Sequence, residues 1–110
     1  MLRKISKEKD LPGFKCYPKF YQKVWLACSK IPFGETRTYK WIAKKIGSPN
    51  AARAVGRALS KNPFAPIIPC HRVIRSDGKL GGYSKGTKMK LELLNKEKKF
   101  VKKLDNKEFF

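Results

Sequence analysis

Thr38-Tyr39-Lys40-Trp41-Ile42-Ala43-Lys44-Lys45-Ile46-Gly47-Ser48-Pro49-Asn50-Ala51-Ala52-Arg53-Ala54-Val55-Gly56-Arg57-Ala58-Leu59-Ser60-Lys61 is the stretch that decides the fold. Thr38 is a favoured N-cap residue, so a helix is expected from Tyr39 to Ile46, stopped by Gly47. Gly47-Ser48-Pro49 reads as a turn. Asn50 is then expected to cap an alanine-rich helix from Ala51 to Lys61, whose end is marked by Asn62-Pro63. Two helices joined by so short a glycine-containing turn form the helix-turn-helix pattern.

On the N-terminal side, Phe20, Val24, Ala27 and Cys28 recur at spacings of three and four after Pro18, which predicts an amphipathic helix ending before Ile31-Pro32-Phe33-Gly34. Residues 1 to 16 carry mixed charge and Leu11-Pro12-Gly13, and read as an irregular arm, mobile or loosely packed. On the C-terminal side, Pro63 and Pro66 enforce an extended path through Ile67-Ile68-Pro69. Val73-Ile74 and Leu80 to Tyr83 look like short strands around Ser76-Asp77-Gly78, a small wing. Thr87 opens a last helix carrying Met89, Leu91, Leu93 and Leu94, and residues 98–110 form a basic tail that either continues that helix or frays. The expected fold is therefore mainly α with a small β wing, a winged helix-turn-helix. It divides into an arm (1–16), one domain (17–97) and the tail (98–110), since 110 residues supply one core rather than two.

Lys and Arg total 27 against 8 Asp and Glu, a formal charge of +19 that must repel itself or meet a polyanion. Nucleic acid is the natural partner, and the helix-turn-helix then reads as a DNA-binding domain. Lysine enrichment also accompanies heat adaptation, so charge alone leaves a lysine-coated soluble protein as the alternative. With 41% hydrophobic residues the middle of the chain has enough apolar material to fold. No window approaches the roughly 18 to 20 apolar residues of a membrane span, and no apolar core follows Met1-Leu2-Arg3-Lys4. A cytoplasmic monomer that does not engage membranes is expected. Three cysteines without a Cys-x-x-Cys spacing indicate neither a disulfide framework nor a zinc site.

Two features point to chemistry. In helix 51–61, Ala51, Ala52, Ala54, Gly56 and Ala58 are small, with Arg53 and Arg57 one turn apart. Part of this is close helix packing, for which Val55 and Leu59 are the better candidates; the small, arginine-bearing face would let a slim helix enter a DNA groove. The second feature is Pro69-Cys70-His71-Arg72-Val73. Cys70 can be a buried small hydrophobe, or a reactive thiol, because a histidine and a cationic chain favour a thiolate. Pattern alone leaves both open. Cys16 and Cys28 lack such neighbours and read as structural. Glu97 is one of few acids after Cys70, and a Cys, His and carboxylate set activates a nucleophile without a metal; an exposed glutamate is the alternative reading.

Ile68-Pro69-Cys70-His71-Arg72-Val73 resembles the active-site signature of the O6-alkylguanine-DNA alkyltransferases. Further blocks follow in family order: Phe33-Gly34-Glu35 with Thr38-Tyr39, Ala51-Ala52-Arg53-Ala54-Val55-Gly56, Asn62-Pro63, Gly82-Tyr83-Ser84, and Leu93-Leu94 with Glu97. The resemblance covers about residues 17 to 97. It implies a domain that binds duplex DNA containing O6-alkylguanine through the minor groove, with Ala51, Ala52 and Gly56 small for close approach and Arg57 beside them. Arg53 enters the base stack, and Tyr39 crowds the target phosphate while the nucleotide rotates out. It further implies that Cys70 is the alkyl acceptor, activated through a water by His71, which Glu97 orients. In the same scheme Asn62 braces the turn, Val73 lines the base pocket, Tyr83 protonates or hydrogen-bonds the leaving guanine, and Ser84 contacts O6. No cofactor and no metal is implied.

Family members usually carry an additional N-terminal domain, whereas about sixteen residues precede the matching region here. The chain therefore also resembles the alkyltransferase-like proteins, which bind alkylguanine without repairing it. Those sensors have the cysteine replaced, commonly by tryptophan or alanine, and Cys70 is retained. A winged-helix transcription regulator would explain the charge and helices but not the Cys-His pair, and would need a dimer on a palindromic site.

Overall fold

A computed structural model describes residues 11–107, with side chains through residue 103. It is mainly helical with one small sheet. Helix α1 spans Lys19–Cys28, α2 Tyr39–Lys45, α3 Ala52–Ser60 and α4 Thr87–Lys107; strands β1 (Arg37–Thr38) and β2 (Val73–Ile74) pair in parallel. Short 3-10 turns occupy Phe14–Cys16 and Cys70–Arg72.

The α2–α3 unit forms where local chemistry dictates. The Thr38 hydroxyl accepts from Trp41 N at 3.0 Å, satisfying one of the free amides at the start of α2. At its end Gly47 takes φ +80, and Ser48 N donates to Ala43 O at 2.9 Å, the six-residue closure that a left-handed residue permits. The third helix begins one residue later than expected and without Asn50: Ala51 occupies the cap position and no side chain caps it, because Ala51 N is drawn into a turn on Ser48 O.

Helix α3 packs against both α1 and α2, burying Val55, Ala58 and Leu59 in a core with Val24, Trp25, Cys28, Ile42 and Ala43. Trp25 is wholly buried, its indole nitrogen donating to Ala58 O at 2.9 Å, which fixes α1 on α3 without leaving the polar atom unpaired.

Further expectations change. The end of the N-terminal arm is not loose: Phe14 is wholly buried, with its ring 6.0 Å from Trp25 and 6.1 Å from Phe64. Residues 1–10 of the arm lie outside the described residues. The strand at Leu80–Tyr83 does not form. Val73–Ile74 pairs instead with Arg37–Thr38, while Gly81 adopts φ +75 and the carbonyls of Leu80 and Gly82 are taken by Lys90 Nζ, leaving no ladder. Cys16 is exposed, so of the two cysteines read as structural only Cys28 is in the core.

The C-terminal segment continues the helix. Beyond Glu97, α4 runs on to Lys107, held to the Ile31–Gly34 segment by a Phe33–Phe100 edge-to-face contact at 5.6 Å. Val101 lies so close to Gly34 that no side chain fits there. That contact anchors the stretch of α4 that carries Glu97. No helix among the described residues is long and apolar enough to cross a membrane.

Candidate active site

Cys70 sits on the 3-10 turn between the proline segment and β2, 3% exposed; that segment is not the extended path expected but a run of turns over residues 63–67, closed by Ile68 N donating to Phe64 O at 3.1 Å. The turn is braced by Asn62, itself buried: its Nδ2 donates to Ile68 O at 2.9 Å and its Oδ1 accepts from Phe64 N at 2.8 Å. Both halves of the amide are thereby used, which fixes the path from the end of α3 to the cysteine.

The next residue, His71, is equally buried, and its Nε2 lies 2.6 Å from Glu97 Oε2. Glu97 also accepts from Arg72 Nε and Nη2, both at 3.0 Å, and from Gly34 N at 3.3 Å. Arg72 in turn donates to Ile31 O at 2.9 Å. Three parts of the chain, the 31–34 loop, the cysteine turn and α4, thus meet at one carboxylate. Burial works to raise the Glu97 carboxyl, but the Arg72 and His71 hydrogen bonds outweigh it and hold it below its ordinary value.

An ionised Glu97 fixes the histidine tautomer. The proton belongs on Nε2, facing the carboxylate, which leaves Nδ1 with a free lone pair, and Nδ1 has no partner among the described residues. Burial lowers the pKa of His71 more than Glu97 raises it, so the imidazole is neutral near pH 7 and competent as a base. Burial likewise pushes the Cys70 thiol up, and the Asn62 side chain, the Lys90 ammonium and the Ser84 hydroxyl pull it back only in part. The basic flanks suggested a resting thiolate; desolvation reverses that, and Cys70 rests as a thiol that needs a base.

These shifts predict how stability depends on acidity. The unfolded chain protonates its histidine near 6.5 while folded His71 resists, and Glu97 stabilises the fold only while ionised. As pH falls below about 6.5, stability should drop, first through His71 and then, below about 4.3, as Glu97 protonates through its lowered folded value. Urea midpoints at pH 8, 6 and 4 should decrease in that order; a flat or rising series would contradict the assignment.

Val73 is wholly buried beneath the cysteine turn, and Tyr83 is 8% exposed with its ring 6.2 Å from His71. Burial first, then the neighbouring Cys70, Cys28 and Glu97, push the Tyr83 phenol up to about 12, so it stays a proton donor at neutral pH. Its hydroxyl has no partner among the described residues. Ser84 is exposed beside it.

Tyr39 is half-buried at the junction of α2, α3 and the Gly81–Gly82 segment: a Cβ on Gly56 would lie 3.9 Å from its ring, and one on Gly81 would collide with its hydroxyl. Glycine is required at position 81 twice over, by its positive φ and by this approach. On α3, Arg53 and Arg57 are exposed, and Ala51, Ala52 and Gly56 are half-buried.

Sequence reasoning thus named the cysteine, histidine, glutamate, asparagine and tyrosine that the fold gathers, but it missed Arg72 as the second partner of Glu97, and Lys90. Arg72 stood inside the quoted motif and was available. Lys90 is one lysine in a lysine-rich helix, and nothing in the pattern separates it from its neighbours.

Comparison with known proteins converges on one group. Residues 19–99 match the family described as 6-O-methylguanine DNA methyltransferase, DNA binding domain. A methylated-DNA–protein-cysteine methyltransferase of Methanosarcina barkeri is 60% identical over 78 residues, 71% of this chain and 49% of that protein. The crystal structure of Mycobacterium tuberculosis OGT in complex with DNA superposes with a TM-score of 0.74 at 54% identity, covering 76% of this chain and 52% of that one. Schizosaccharomyces pombe Atl1, in complex with damaged DNA containing O6-carboxymethylguanine, matches with a TM-score of 0.65 at 37% identity, covering 72% of this chain and 75% of that one. The chain spans about half the length of the curated methyltransferases it matches.

Proposed function

Because the chain belongs to the family of the 6-O-methylguanine DNA methyltransferase DNA-binding domain, we propose that it repairs duplex DNA by moving an alkyl group from guanine O6 to Cys70, irreversibly and once per molecule. One observation carries this reading: a buried thiol directly precedes a histidine whose Nε2 is locked on Glu97 at 2.6 Å and whose Nδ1 is left free to accept a proton.

In this scheme a water relays the Cys70 proton to His71 Nδ1, and Glu97 stabilises the imidazolium that forms. Sulfur donates its electron pair to the alkyl carbon as the bond to O6 breaks. Tyr83 protonates or hydrogen-bonds the departing guanine, and any proton it gives is replaced from the His71 imidazolium, so the proton lost by Cys70 ends on guanine and both Tyr83 and His71 return to their neutral forms. Ser84 contacts O6 and Val73 lines the pocket. Tyr83 suits this part because its phenol is protonated far above neutrality. The product is a thioether, which no group in the site can expel, and turnover stops.

Delivery of the base rests on the winged helix-turn-helix reading of α2, α3 and the segment after β2. The exposed Arg53 and Arg57 on a helix of small residues, in a chain of +19 formal charge, support minor-groove binding. Arg53 takes the space of the rotated nucleotide, and Tyr39 crowds its phosphate. Extrusion costs a few kcal/mol, least for a weakly paired lesion, so damage is selected partly before chemistry.

The likeness to Atl1 favours a second reading, a lesion sensor that binds alkylguanine without transfer. The fate of the lesion separates the two. With protein in molar excess over an O6-methylguanine duplex, chromatography of the digested DNA should show the methylated base replaced by guanine; tight binding with the lesion intact would overturn repair in favour of sensing.

A further inference from the structure

Lys90 is the one lysine among the described residues that is wholly buried, and no carboxylate pairs with it there. Its Nζ donates to the carbonyls of Leu80 and, at 3.1 Å, Gly82, and lies 5.8 Å from the centre of the Tyr39 ring. A buried ammonium without a counter-ion is costly, and a fold keeps one only where something is gained.

Two things are gained. The carbonyl bonds hold the loop that leads into Tyr83 and Ser84 and that seats Gly81 on the Tyr39 hydroxyl. The ammonium, packed against the Tyr39 ring of α2, is also within electrostatic reach of Cys70 on the 3-10 turn, Cys28 on α1 and His71 beside Cys70. Of these, Cys70 is the group that becomes negative when alkyl transfer begins.

We propose that Lys90 is a positioning residue for the transfer: it clamps the Leu80–Gly82 segment so that Tyr83 and Ser84 face the sulfur, and it serves as counter-ion to the Cys70 thiolate as that forms. The inference rests on Cys70 being the acceptor. Burial lowers the Lys90 ammonium to about 8, while Cys70 and Cys28 raise it, so charge at the lysine and at the sulfur support one another.

The test pairs Lys90→Met and Lys90→Arg with the unmutated protein, reading single-turnover methyl transfer and the pH profile of Cys70 alkylation by iodoacetamide. Lys90→Met should slow transfer on the order of a hundredfold and move the iodoacetamide profile to higher pH, and Lys90→Arg should restore the profile in part. The iodoacetamide profile needs no DNA. If the unmutated protein transfers nothing, the repair reading fails, whereas an unshifted profile in Lys90→Met defeats the counter-ion proposal whatever the transfer result.

Should Lys90→Met not fold, the unmutated protein still decides. NMR of lysine labelled with carbon-13 at Cε should show the Lys90 titration midpoint fall once Cys70 is capped with iodoacetamide. An unchanged midpoint would mean that the two groups do not communicate, and would overturn the proposal.

Discussion

Cys70→Ala should abolish methyl transfer completely while leaving the affinity for an O6-methylguanine duplex within about twofold. In the proposed mechanism the sulfur is the bond-forming atom, and the other thiols are poor substitutes: Cys28 is sealed in the core with its pKa raised by burial, and Cys16 is exposed on the 3-10 turn before α1. Binding, on the proposed reading, rests instead on the exposed arginines of α3. The fold should lose little, on the order of 1 kcal/mol, since the change removes one buried atom and no hydrogen bond that the backbone depends on. Transfer is followed by loss of the methylated base from the duplex and binding by gel shift. Residual transfer by the alanine variant would place the acceptor elsewhere.

Glu97→Gln should have the next largest effect, on both rate and stability. The carboxylate accepts from His71, twice from Arg72 and from Gly34. An amide has one acceptor oxygen and turns two N–H donors toward groups that are themselves donors. Arg72 would be left largely buried without its counter-charge, a loss of up to about 3–5 kcal/mol. An amide N–H facing Nε2 would also favour the other histidine tautomer, placing a proton on Nδ1 where a lone pair is needed. Wrong-tautomer variants of nucleophile–histidine–carboxylate sites lose roughly 10⁴ in rate; a loss of at least about 10³ is expected here, measured in single turnover at a temperature where circular dichroism verifies folding. Near-normal transfer by a folded Glu97→Gln protein would remove the glutamate from the mechanism.

The parts of the fold that the sequence disclosed are those set by short-range chemistry. Thr38 at the start of α2 and Gly47 at its end act within one helical turn, so residue type sufficed. The apolar spacing of α1 marks the face that the core buries. Readings failed where a distant partner decides. Val73–Ile74 takes Arg37–Thr38 as its neighbour, not the residues after Gly78, and the carbonyls that would have made a hairpin are held by a lysine from α4. Asn50 is a good cap by type, but the turn from Ser48 to Ala51 shifts the helix start past it.

The site divides the same way. Cys70 and His71 were visible as neighbours in a motif, and Asn62 and Tyr83 through the resemblance. The meeting of Glu97 with His71 depends on the register of α4, fixed by Gly34 against Val101 and by Phe33 against Phe100, and no spacing rule encodes that. The protonation of Cys70 stayed open in the sequence because flanking charge is visible there and burial, which pushes the thiol up, is not.

Cys70, in the proposed function, accepts one alkyl group and keeps it. Intact-mass analysis of the protein after incubation with excess O6-methylguanine duplex, followed by peptide mapping, tests it most directly. A gain of one methyl group per chain, located on Cys70, with no further gain on longer incubation, is expected. An unchanged mass despite lesion binding, or a methyl group on any other residue, would contradict it.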